Sequence, residues 1–219
     1  MTDYYIIPPF PDLQHYEYYP YHMVIGPLLK DYPEYIDFYK DKTTIIDNGE
    51  YEGMRCDIEQ LLDIADKIDA DEVVLPDEIG NKQETLELVN EVLPKVTTYD
   101  FDYMGVAQGN DVYEVIECAK KLYYVLEVDI VALPVHVSKM ESGYRGRGAV
   151  MDFLDFEVHF LGLYNPRELT FTYPRSIDTS YPFKIAQSNM ELGDICDKKL
   201  DFKSSSGDVK AREFMERYL

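Results

Sequence analysis

Tryptophan is absent from these 219 residues, cysteine occurs three times, and the 21 Lys and Arg residues are half as many as the 42 Asp and Glu. Each shortage removes a class of protein. Cys56, Cys118 and Cys196 lie far apart and form no C-x-x-C pair. That spacing argues against a disulfide framework or a zinc motif and fits reduced thiols in a cytoplasm. No apolar run approaches the roughly 20 residues a membrane helix needs. The opening MTDYYIIPPF has neither a basic stretch nor a long apolar one, so no signal peptide is expected. A net charge of −21 opposes bulk nucleic-acid binding, because Lys and Arg on phosphates supply much of that affinity; it leaves room for a local basic patch.

What is present is a globular composition, 46% hydrophobic and 29% charged, in a chain long enough for one sizeable core. Tyrosine is abundant, and Tyr4, Tyr5, Tyr16, Tyr18, Tyr19 and Tyr21 crowd the first 21 positions. Residues 1–20 read as an ordered Tyr- and Pro-rich extension over one end of a single domain. Strands are expected at 22–27, 43–46, 72–75, 102–107, 129–135, 158–162 and 175–177. Helices are expected over 33–40, 57–68, 82–93 (stopped by Pro94), 111–126, 149–156 and 166–172. Residues 140–148 read as a loop. A Lys198–Lys203 segment, a flexible Ser204–Gly207 run and a tail helix over Val209–Tyr218 close the chain.

One strand–loop–helix unit roughly every 25–30 residues predicts a parallel sheet with right-handed crossovers. Units of that size suit a small α/β fold, a (β/α)8 barrel, better than an open sheet. The eighth strand is the weak point, placed at Tyr181–Ala186 or missing.

Thr43-Thr44-Ile45-Ile46 is a β-branched run that stops at Asp47-Asn48-Gly49, so a carboxylate sits where a strand ends. The event recurs at Asp77-Glu78, at Gln108-Gly109 and at Asp178. In a barrel these positions, with the Leu133-Pro134-Val135 backbone, fall at the C-terminal mouth, where barrel enzymes place their chemistry. Two carboxylates flanking a sugar can transfer a glycosyl group with retention, one attacking the anomeric carbon and one protonating the leaving group. A carboxylate beside a Gln can read the amide and amine edge of a purine, and Tyr51 can stack on it. Singly, each aspartate also reads as a helix cap, and Gln108-Gly109 as a loop. Lys139, Arg145 and Arg147 share a Gly-rich stretch that can grip phosphates, with Arg167 and Arg175 adding to it. His136 and His159 read as core or supporting residues, with no third partner for a metal.

These residues resemble a known family, the tRNA-guanine transglycosylases and their compact phage and island-encoded DNA-modifying relatives. The family's D-S-G-G-[FY]-Q is echoed by Asp47-Asn48-Gly49-Glu50-Tyr51-Glu52, and its Asp-Glu by Asp77-Glu78. Its G-[IV]-x-Q-G is matched by Gly105-Val106-Ala107-Gln108-Gly109. His159-Phe160-Leu161-Gly162-Leu163 resembles the strand before the nucleophile region, and Asp178 the nucleophile itself. Order and spacing agree over roughly residues 43–180.

The resemblance implies that Asp178 attacks C1′ of a guanosine nucleotide and that Asp47 is the general acid and base. It implies that Asp77 and Gln108 hold the base edge and that Tyr51 stacks on it, with Asn48, Gly109 and the Leu133–Val135 backbone around it. Three departures stand out: Glu50 replaces glycine, Glu52 replaces glutamine, and the 133–135 loop is not glycine-rich. The tRNA enzymes carry a C-x-C-x-x-C zinc subdomain near the C-terminus, where this chain has Cys196 alone. DNA is therefore the expected polymer, a 7-deazaguanine such as preQ0 the expected base, and no cofactor or metal is expected. A zinc-free tRNA enzyme, a degenerate deazapurine-binding or partner-binding barrel, and an unrelated carboxylate glycosidase remain as alternatives. A homodimer or an accessory protein stays open as a partner, and with it the source of the positive surface the chain lacks.

Overall fold

The computed structural model describes residues 2–54, 56–163, 165–170, 172–191 and 199–206. Among these, eight parallel strands close into a barrel in sequence order: β1 (Asp3–Ile6), β2 (Tyr21–Ile25), β3 (Thr43–Asp47), β4 (Glu72–Val74), β5 (Asp102–Val106), β6 (Ile130–Pro134), β7 (Val158–Leu161) and β8 (Ser176–Thr179). The helices between them are α1 (Gly26–Asp31), α2 (Ile36–Tyr39), α3 (Ile58–Ile68), α4 (Lys82–Val96), α5 (Val112–Tyr124) and α6 (Gly146–Met151), and α7 (Tyr181–Gln187) follows β8. This is the (β/α)8 TIM-type barrel the periodicity predicts.

The missing strand is at the other end of the chain from where it was expected. The N-terminal segment is not an extension over the barrel; Asp3–Ile6 is part of it, pairing Tyr5 with Asp178 and Ile6 with both Thr179 and His22. Tyr181–Ala186 is helix, begun by Pro182, whose fixed φ suits a first turn and whose missing N–H costs nothing there. Pro94 does not stop α4 either. It sits in the last turn, where it deletes one donor, and Thr97 N–H still reaches the Leu93 carbonyl at 3.2 Å.

Strand alternation sorts side chains into two shells. Tyr5, Met23, Ile45, Val74, Met104 and Ala132 fill the barrel interior. Val24, Ile46, Val73, Val131, Phe160 and Ile177 face outward and pack against Leu61, Ala65, Val89, Ala119 and Leu122 of the helices. Asp57, Asn81 and Asp111 cap α3, α4 and α5 through side-chain bonds to the N–H groups of Glu59, Glu84 and Glu114. The stretch expected to be a loop is irregular and largely exposed over residues 141–145 and packed from Gly146 on. A Cβ on Gly146 would stand 1.8 Å from the Val137 carbonyl oxygen, and α6 begins there rather than at Ala149. The serine run is docked as well, because Ser205 and Ser206 donate to the buried Asp12 carboxylate. Cys196, Lys198, Gly207 and the expected tail helix over Val209–Tyr218 lie outside the described residues.

Asp69, Asp71, Asp100, Asp102 and Asp129 line one hollow around the starts of β4, β5 and β6. Part of the chain's acidity is thereby placed at the end opposite the strand C-termini.

Candidate active site at the barrel mouth

Asp47 ends β3, Asp77 lies three residues beyond β4, Gln108 two beyond β5, and Asp178 is the third residue of β8. All four line one cavity of about 150 Å³, together with Asn48, Tyr51, Glu52, Pro134, Val135, His136, Gly162 and Lys184. Four separate strand ends thus converge as the sequence predicts.

Asp77 is held on both oxygens. Asn48 Nδ2 donates to Oδ1 at 2.8 Å and to the Leu75 carbonyl at 2.7 Å. Gln108 Nε2 donates to Oδ2 at 2.6 Å. The Gln108 amide is oriented by its other end, where Oε1 accepts the Gly80 N–H at 2.9 Å. Asn48 is fixed likewise, its Oδ1 accepting the Glu50 N–H at 2.8 Å. An acceptor pair with a locked amide beside it is a rigid reader for a planar ligand that offers donors and an acceptor along one edge.

Among the described residues Asp178 is gripped on one oxygen. Oδ1 lies 2.7 Å from the Gly162 N–H and 3.0 Å from His159 Nε2. Asp47 has a weaker tie, its Oδ2 accepting the Gly49 N–H at 3.3 Å.

Burial pushes the Asp47 carboxyl well above the usual carboxylate range, and the charges of Glu52, Asp178 and Asp77 push it the same way, against the Gly49 N–H. Burial also raises Glu52, with Lys184 opposing. Asp77 is pushed up to about 6 by burial, the Asn48 and Gln108 bonds holding it back. Asp47 is therefore poised to carry a proton at a pH where an ordinary aspartate has lost it.

These shifts carry a cost that depends on pH. Between about pH 4 and 6 the native state keeps the Asp77 proton that the unfolded chain releases, so stability falls as pH rises through that window and levels above it. The loss from Asp77 is roughly 3 kcal/mol. Urea denaturation of the wild type and of Asp77→Asn at pH 4 and pH 7 should show the wild type losing about that much more. Parallel pH profiles would mean Asp77 is ordinary.

Several expected site residues stand elsewhere. Leu133 faces the helices and does not line the cavity. Gly109 does not line it either. A Cβ there would come within 2.7 Å of Glu114 Cβ, so its glycine is needed for packing on α5. Tyr51 is half exposed at the rim, its ring approached by the ammonium groups of Lys199 at 5.3 Å and Lys184 at 5.9 Å. Lys139, Arg145 and Arg167 are exposed on the segments after β6 and β7.

Arg147 and Arg175 do not fit a phosphate-binding role. Arg147 is 1% exposed and paired with Glu168 at 2.6 Å, because α6 turns its side chain under the strand ends. Arg175 precedes β8 and so sits at the end of the barrel where the strands start, 3.0 Å from Glu72.

Sequence reasoning missed Glu52, Lys184 and Lys199 at the mouth. Lys184 was legible in principle, since it lies one helical turn into α7, directly after the β8 strand end. Lys199 comes from a distant segment with no local signal.

The fold and site define a (β/α)8 barrel with a carboxylate-lined mouth. Comparison of the chain with protein-family models and with curated proteins gives no match.

Proposed function

We propose that the chain is a guanine transglycosylase that exchanges guanine in DNA for a 7-deazaguanine base such as preQ0. The observation that carries this reading is the shared cavity. One oxygen-gripped aspartate, one buried aspartate whose pKa is raised by burial and neighbouring carboxylates, and a locked Asp–Gln edge reader line the same base-scale hollow.

In the first half-reaction Asp178 attacks C1′ and forms a C1′–O bond. The C1′–N bond breaks, its electron pair leaves with guanine, and Asp47 gives its proton to a ring nitrogen of the departing base. In the second, the ring nitrogen of the incoming 7-deazaguanine attacks C1′ and its proton passes to the Asp47 carboxylate. The C1′–O bond breaks and Asp178 is regenerated as a carboxylate. Configuration is retained, and no cofactor enters the balance.

Asp77, Asn48 and Gln108 supply the edge contacts, and Pro134 and Val135 a wall. The choice of DNA over tRNA rests on the sequence, in which Cys196 alone stands where the tRNA enzymes carry a zinc motif. The exposed Lys139, Arg145 and Arg167 stand on mouth-side segments, while five aspartates occupy the opposite end. These cations are the groups a polyanion would meet at the mouth, where Asp47, Glu50, Glu52, Asp77 and Asp178 line the cavity itself.

The test is base exchange. Labelled guanine or preQ0 is incubated with the protein and duplex DNA, single-stranded DNA or tRNA. Label entering DNA is the expected result. Label entering only tRNA would replace the substrate, and tight preQ0 binding without incorporation into any polymer would replace the enzyme with a binding protein.

A further inference from the structure

His159 and Ser176 are fully or almost fully buried, and neither has a part in the bond-making just described. They are register partners across β7 and β8, and alternation turns both into the barrel with Asp178 two residues on. His159 Nε2 lies 3.0 Å from Asp178 Oδ1, and Nδ1 lies 2.8 Å from Ser176 Oγ.

The donor inventory fixes the protons. An attacking Asp178 is a carboxylate and can only accept, so Nε2 must carry hydrogen. In a neutral imidazole Nδ1 then accepts, and the Ser176 hydroxyl donates to it. Among the described residues, the other charged or titratable groups shown near the ring are Tyr5, whose ring centroid is 6.2 Å away, and Glu72, which pairs with Arg175.

We infer that His159, held by Ser176, is a positioning residue that decides which oxygen of Asp178 reacts. This rests on the transglycosylase reading. The His159 Nε2–H and the Gly162 N–H both converge on Oδ1. Among the described residues no hydrogen bond engages Oδ2, which is the oxygen left to bond C1′. The grip also fixes the carboxylate plane, so Oδ2 approaches the sugar from one direction. In the covalent intermediate Oδ1 becomes the ester carbonyl oxygen. When the incoming base displaces the ester, the same two donors receive the charge that returns to Oδ1.

The variants His159→Leu, His159→Gln, Ser176→Ala and Asp178→Ala test this. Gln can keep an N–H toward Oδ1 and offer its carbonyl to Ser176, whereas Leu can do neither. The exchange rate at saturating base should fall about 10- to 100-fold in His159→Leu, with KM for the base unchanged and most of the rate recovered in His159→Gln. Ser176→Ala should fall less. Nitrogen NMR of the wild-type imidazole should show the Nε2-protonated tautomer, a readout that needs no turnover. A neutral ring protonated on Nδ1 alone, or Leu and Gln variants equally active or equally impaired while Asp178→Ala is inactive, would overturn the inference alone. An active Asp178→Ala would overturn the transglycosylase reading and the inference with it.

Discussion

Replacing Asp178 with Asn should lower base exchange by about 10⁴-fold or more while leaving the fold as stable as the wild type or more so. The first half follows from chemistry. An amide nitrogen at the Oδ2 position is no nucleophile for C1′, and removing a group that forms the covalent intermediate costs factors of this order or larger. The second half follows from the site. Asn has the size of Asp, and its carbonyl oxygen can still accept the Gly162 N–H at the Oδ1 position. The substitution also removes a negative charge that pushes on Asp47. Relieving that repulsion favours the folded state near neutral pH. Activity lost with stability kept or gained is the signature of a group held in place for chemistry. Exchange rates and thermal midpoints of both proteins, with mass analysis for a glycosyl adduct on the peptide containing Asp178, decide it. A rate within tenfold of wild type would take Asp178 out of the reaction. A collapsed midpoint would make it a structural residue.

The barrel was legible because its units repeat. β-branched runs ending in turn residues, followed by capped amphipathic helices, fix strand ends, and strand ends fix the mouth. Asp47, Asp77, Gln108 and Asp178 could be brought together from spacing because every parallel strand in such a barrel points the same way. β1 escaped because four residues, two of them tyrosines, between polar and proline-rich neighbours carry too little alternation. Its strand character comes from closing the ring between β2 and β8, a tertiary fact. The cations were misread for a related reason. Charge and glycine content mark Arg145 and Arg147 alike, yet Arg145, the residue before α6, is exposed and Arg147, inside it, is buried. Whether a basic side chain faces solvent depends on helix phase, and a stretch with glycine at 143, 146 and 148 has no apolar period from which to read it.

Arg147 provides the second large effect, and it separates the two meanings of a basic residue. Its Nε donates to Glu168 at 2.8 Å, its Nη1 reaches the Leu133 carbonyl at 3.3 Å, and its guanidinium lies 4.4 Å over the Phe160 ring. The side chain thus ties the ends of β6 and β7 to the segment that leads into β8. Burial pulls the guanidinium pKa down and Glu168 pulls it back, so the charge is held there by its partner. Arg147→Met should therefore cost about 3–5 kcal/mol, because it strands a buried carboxylate. The double variant Arg147→Met with Glu168→Leu should recover much of that loss, since neither charge is then left alone. Arg145→Ala, at an exposed position, should stay within about 0.5 kcal/mol of wild type. If Arg145 meets a phosphate, its loss should weaken DNA binding uniformly and lower the salt slope by about 1. Denaturant unfolding reads the first pair of effects and a salt titration of DNA binding reads the last. An Arg147→Met protein of wild-type stability that binds DNA more weakly would reverse the assignment and return Arg147 to the nucleic-acid surface.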